Sequence, residues 1–113
     1  MHEMSIAQNI IEIANEYAKK EDAKKVTELD LSIGTLAGIE FDSLEFALEV
    51  CKSGTILQNA KINIDKITAK AKCLDCSSEF EVKQLFETCP NCKSFSTQLL
   101  CGKEMQVKSL LID

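Results

Sequence analysis

Two cysteine pairs, Cys73-Leu-Asp-Cys76 and Cys89-Pro-Asn-Cys92, stand twelve residues apart and carry the most specific chemistry in the chain. Four thiolates at this spacing match tetrahedral zinc, with each pair seated on a tight knuckle. Four protein sulfurs leave no open coordination position, so the expected role is structural. The spacer, SSEFEVKQLFET, contains an alternating stretch expected to form a small hairpin beneath the metal. Thioredoxin-like redox chemistry expects one C-x-x-C in a βαβ setting, whereas here there are two, with Pro90 suggesting turns. An iron–sulfur cluster also uses four cysteines, and spacing alone leaves that alternative open. Cys101 falls outside the pattern and reads as a strand-edge thiol. A lobe this small has little core, so metal binding, worth about 10–16 kcal/mol in zinc-finger peptides, would supply its folding free energy.

The single histidine is residue 2, between Met1 and Glu3. An α-amine, the His2 amide and an imidazole nitrogen can close chelate rings around one cation. Imidazole suits nickel, copper and zinc, and planar nitrogen-rich sites favour Ni(II) or Cu(II). On these three residues alone, a solvated side chain on a frayed terminus is the commoner outcome.

Around these groups the chain has 113 residues, enough for one small domain with an appended module. Hydrophobic content of 45% and charged content of 27% describe an ordinary globule. The net charge of −5 resides in residues 1–69, with 7 lysines against 12 acids, while residues 70–102 balance at 4 and 4. Arginine and tryptophan are absent, so neither a phosphate-gripping face nor a base-stacking surface is supplied, which argues against nucleic acid. No signal peptide or membrane-spanning apolar run is expected, which points to a cytoplasmic protein with reduced thiols.

Residues 5–20 read as a helix with Ile6, Ile10, Ile13, Ala14 and Tyr17 on one face. A Ser5/Gln8 capping box would start it and leave residues 1–4 as a short extended arm. Residues 25–33 alternate as a strand, with Leu29, Leu31 and Ile33 inward. A second helix near 43–52, capped by Asp42 or Ser43, would bury Leu44, Ala47, Leu48 and Cys51 as a core thiol. Residues 61–72 read as one strand whose two apolar phases need a bulge near Asp65 and Lys66. Residues 104–112 make the last strand. The expected architecture is α+β: a small mixed helix/sheet domain over 1–69, completed by 103–113, with a zinc-ribbon-like lobe inserted at 70–102.

The start MHEMSIAQNI, the segment LSIGTLAGIEFDSLEFALE, the CLDC…CPNC pairs and the ending GKEMQVKSLLI together resemble the HypA/HybF family along the whole chain. Those are nickel-insertion proteins of NiFe-hydrogenase maturation. The resemblance implies a metallochaperone, not an enzyme. It would hold one Ni(II) through the Met1 amine, the His2 imidazole and amide, and Glu3, which is given a supporting role. Structural Zn(II) would be held by Cys73, Cys76, Cys89 and Cys92. The implied partners are a nickel-handling maturation GTPase, the hydrogenase large-subunit precursor and, in some bacteria, urease maturation proteins. An exposed strand edge would also permit a homodimer. The second histidine that some relatives carry is missing, so no additional nickel site is expected. The rival reading is a zinc-ribbon adaptor without nickel transfer.

Overall fold

The computed structural model describes residues 3–113, so expectations placed on Met1 and His2 lie outside the described residues. The elements run α1 (Glu3–Lys20), β1 (Val26–Gly34), α2 (Phe41–Cys51), β2 (Lys61–Ile67), β3 (Lys70–Cys73), β4 (Glu79–Glu81), β5 (Thr97–Cys101) and β6 (Met105–Ile112). They form two three-stranded sheets, ordered β2-β1-β6 and β4-β3-β5. The fold is α+β, as expected. The described residues divide into two compact units: those up to residue 31, with 39–65 and 106–113, in one, and residues 32–38 and 66–105 in the other.

In the first unit α1 packs on α2. The helix starts at Glu3, two residues before the expected cap at Ser5, so Glu3 and Met4 belong to the helix and not to an extended arm. An acidic side chain in the first turn complements the positive end of the helix dipole. Glu3 is also tied across: its Oε2 accepts the Glu40 amide at 3.2 Å.

The buried stripe of α1 is Ala7, Ile10, Ile11, Ala14 and Ala18, while Ile13 and Tyr17 are exposed. The sequence offers two overlapping apolar phases, 6-10-13-17 and 7-11-14-18. Tertiary packing buries the whole second set, whose alanines allow close approach of the backbone, and keeps Ile10 of the first, so Ile10 and Ala14 are buried as expected while Ile13 and Tyr17 are not.

α2 is capped by Glu40, whose carboxylate accepts the Asp42 amide, and not by Asp42 or Ser43. It buries Leu44, Ala47 and Leu48 as expected. Cys51 is not a core thiol: at the last helical position it is half-buried, with Sγ 3.5 Å from Met4 Sδ. The unit's largest fully buried side chains are Leu29, Leu31, Leu44, Leu48, Leu57 and Val26.

The expected single strand 61–72 is two strands in two sheets, broken at Thr68 and Ala69 beyond the expected bulge at Asp65 and Lys66. Ile62 and Ile64 serve one sheet, and Ala69 and Ala71 serve the core of the other unit. The clash of phases in the sequence is the signature of a chain leaving one core for another. Nor does the cysteine spacer fold on itself. Its strand β4 pairs antiparallel with β3, matching Ala71 to Phe80, and β5 pairs with the other side of β3.

The second unit holds a core cluster of Ala69, Ala71 and Val82, flanked by half-buried Leu36, Phe80 and Leu99, and its segment 32–38 adds the fully buried Ile33. Leu36 arrives on the segment after β1, where the Leu36 amide donates to the Gly102 carbonyl at 2.7 Å. A Cβ on Gly34 would meet the Gly102 carbonyl carbon at 2.0 Å, so this crossing admits only glycine at position 34.

Candidate metal centre

β3 ends in Cys73, and the chain turns at once into the first knuckle. The Cys73 amide donates to the Ser78 carbonyl at 2.8 Å, and the Ser77 amide donates to the Cys73 carbonyl at 2.9 Å. The second knuckle repeats this pattern: Cys89 amide to Ser94 carbonyl at 3.0 Å, Lys93 amide to Cys89 carbonyl at 2.8 Å. The residue after each second cysteine takes a left-handed conformation, Ser77 at φ 64° and Lys93 at φ 65°. Two knuckles of matching hydrogen-bond geometry therefore face their cysteines toward one point.

The ligand atoms of Cys73, Cys76, Cys89 and Cys92 all lie within 4.8 Å of one another. Cys73 and Cys92 Sγ are 3.5 Å apart, and Cys76 and Cys89 Sγ are 3.6 Å apart. All are free thiols. Zn–S bonds of about 2.3 Å in a tetrahedron set S···S separations of about 3.8 Å. The donor set and the spacing thus fit structural zinc. Cys73 and Cys89, the first cysteine of each knuckle, are fully buried. Cys101 stands apart at the end of β5, its Sγ against the Thr68 carbonyl at 3.4 Å.

The four thiols are electrostatically unequal. The Ser78 hydroxyl and amide, with the Asn91 amide, pull Cys76 down to about 6, so it is ionised near neutral pH. The Ser94 amide pulls Cys92 down, but the hydrogen bond shared with the Cys73 sulfur, burial, and the hydrogen bonds with the Cys76 and Cys89 sulfurs outweigh it and push Cys92 up to about 12. Four thiols this close cannot all ionise without a cation among them, which is the electrostatic reason such a cluster calls for a metal.

Sequence reasoning missed the outer residues. Asn91 Nδ2 donates to Cys76 Sγ at 3.6 Å and to Ser78 Oγ at 3.3 Å, and Ser94 Oγ donates to Asp75 Oδ2. A signal was present: both knuckles read Cys-x-x-Cys-x-Ser, with the serines at 78 and 94.

Among the residues expected to hold nickel, Glu3 is described and its carboxylate bonds Glu40. No helix among the described residues is long and apolar enough to cross a membrane.

A four-thiol centre on paired knuckles, in a chain that also forms a helix-and-sheet unit with its own core, defines an α+β metalloprotein carrying a zinc-ribbon-like element. A family model described as "Hydrogenase/urease nickel incorporation, metallochaperone, hypA" matches residues 1–112. The hydrogenase maturation factor HypA of Parabacteroides distasonis is 43% identical, covering 99% of this chain and 97% of that one. The Aquifex aeolicus factor is 39% identical over 100% of this chain and 98% of its own. Among solved structures, the Ni metallochaperone HypA from Helicobacter pylori superposes with a TM-score of 0.68 at 27% identity, covering 99% of this chain and 97% of that one. The chain belongs to the HypA family of hydrogenase/urease nickel-incorporation metallochaperones.

Proposed function

We propose that this chain carries Ni(II) on the Met1 amine and the His2 amide and imidazole, with Glu3 in support, and delivers it to a hydrogenase large-subunit precursor in the cytoplasm. The observation that carries this reading is the nickel-incorporation family match, which begins at residue 1 and so takes in the Met-His-Glu start. A nickel-handling maturation GTPase is the working partner, and urease maturation proteins are candidate further partners. Delivery needs a site that selects a planar geometry and still releases its cargo. A terminal chelate with one obligatory side-chain donor meets both needs, because a partner's ligands can dismantle it.

Glu3 acts by position. Its carboxylate accepts the Glu40 amide and fastens the first turn of α1 to the cap of α2. Nickel donors placed just ahead of that turn start from an anchored helix.

Zn(II), held by Cys73, Cys76, Cys89 and Cys92, supplies the folding free energy of the segment 70–102. The remainder, 1–69 with 103–113, forms the nickel-binding domain. The chemistry is metal exchange, with no catalytic step.

A Ni(II) competition titration on zinc-loaded protein tests the reading, run beside His2→Ala and a form extended by a few residues at the N-terminus. One equivalent of tight nickel, lost in both altered forms, is the expected result. Unchanged binding in both would overturn the terminal site. Amine, amide and imidazole donors must all lose protons, so affinity is expected to fall as pH drops through the histidine range of about 6.5.

A further inference from the structure

α2 carries two apolar ridges. Leu44, Ala47 and Leu48 form the inner one, and Phe46 and Val50, one turn apart, form an outer one that is 69% and 49% exposed. Single exposed apolar residues are ordinary, but this ridge is part of a formed groove. Between α2 and the edge strand β2 runs an open groove of about 450 Å³ that Phe46 shares with Ile62 and Ile64. Three carboxylates, Asp42, Glu45 and Glu49, stand along it at helical spacing, and no lysine lines it.

Glu49 is answered by Lys52 at 2.9 Å. Among the described residues Asp42 and Glu45 have no ion pair, and α2 itself contains no basic residue. A second shallow groove continues past Phe46 to Met4 and Glu3. An aromatic anchor thus stands between two apolar-floored grooves under one sign of charge.

The geometry points to this face as a docking surface for a protein segment that presents an apolar side chain beside lysines or arginines. Charge complementarity selects that occupant. The carboxylates repel RNA and anionic lipid, and they oppose the acid-rich surface of a second copy of this chain. A basic segment matches Asp42 and Glu45, and its apolar residue closes over Phe46 against Ile62 and Ile64. Aromatic residues at the centre of such patches carry most of the binding energy. The anchors proposed here are Phe46, Ile62, Ile64, Asp42 and Glu45, and His2 is not one of them, so occupancy should not depend on His2.

The test uses ¹⁵N NMR of the zinc-loaded full chain, titrated with a synthetic helical peptide of leucine and lysine patterned at i, i+3, i+4 and i+7. A leucine/glutamate peptide of the same pattern and phosphatidylserine vesicles serve as comparisons. Shifts centred on Phe46, Val50, Asp42, Glu45 and Ile64 are expected with the lysine peptide alone. Phe46→Ala should weaken binding by about tenfold or more. A double Asp42→Asn, Glu45→Gln variant should weaken it about fivefold at low salt, with the difference vanishing at high salt. His2→Ala should leave the affinity unchanged, which separates this surface from the nickel reading. Equal binding of the acidic peptide or of vesicles, shifts centred elsewhere, or an unchanged Phe46→Ala would overturn the proposal. The same shifts with magnesium alone would make the face a cation site and overturn it too.

Discussion

The two units use different means to stay folded. One has a conventional core, with Leu29, Leu31, Leu44, Leu48 and Leu57 all withdrawn from water. The other centres on two alanines and one valine, with Leu36, Phe80 and Leu99 only partly covered. Burial of a leucine is worth about 1.5–3 kcal/mol, so the first unit can stand on apolar burial, while the second, with Ile33 as its one large aliphatic side chain fully withdrawn from water among the described residues, has far less of it. Four convergent thiols in the second unit take the place of the missing leucines. Cargo chemistry and structural chemistry are thereby kept on different donors: nitrogen and oxygen for the proposed nickel site, sulfur for zinc.

The sharpest way to break this comparison is to remove the metal. A strong chelator, or Cys73→Ser, is expected to cost the second unit its fold, a loss on the order of 10 kcal/mol of metal-linked stability. Amide exchange should show protection vanishing at Ala71 and Val82 while it persists at Leu29 and Leu31. Equal loss in both units would show a single cooperative structure.

A smaller effect is expected from the cores themselves. Leu48→Ala should lower the stability of zinc-loaded protein by about 2–5 kcal/mol in urea unfolding. Val82→Ala should cost only about 1.5 kcal/mol, because two methyl groups are removed from a core held mainly by metal. The reverse ranking would place the apolar weight in the wrong unit.

The smallest effect is electrostatic and belongs to the first unit. Asn63 Nδ2 and Ser109 Oγ each donate to the Asp30 carboxylate at 2.8 Å. These bonds, Asn63 first and then Ser109, outweigh desolvation and, with the charge of Lys108, hold Asp30 below its usual 3.8. The stabilisation is therefore complete above 3.8 and is lost as pH falls through the lower folded value. Asn63→Ala should flatten that acid limb and leave stability at the most acidic pH unchanged, as urea midpoints across the carboxylate range would show. An acid limb as steep as that of the unaltered chain would remove the assignment.

Elements with one strong local signal were legible in the sequence. The cysteine spacing identified the knuckles, and Leu29, Leu31 and Ile33 identified β1. Errors arose where two signals competed. α1 had two overlapping apolar phases, and only packing against α2 brought Ala7, Ile11 and Ala18 into the core beside Ile10 and Ala14. Cys51 lay on the apolar stripe of α2, yet a position at the helix end leaves it half-exposed beside Met4. The conflict of phases in 61–72 reads locally as a bulge, because a local pattern cannot say that its halves serve different cores. Glu40 as the cap of α2 was hidden for a similar reason, since Asp42 and Ser43 are better caps by type.

By itself the sequence determined the donor types: four thiols at knuckle spacing and a lone histidine between Met1 and Glu3 are covalent facts of residue order. It also determined the acidic character of residues 1–69 and the α+β alternation, which follow from composition and period. Only the tertiary structure decided which face of α1 is buried, where residues 61–73 change sheet, and that Glu3 reaches the Glu40 amide. Those outcomes depend on which surfaces meet across long separations in the chain, and local propensity carries no term for that meeting.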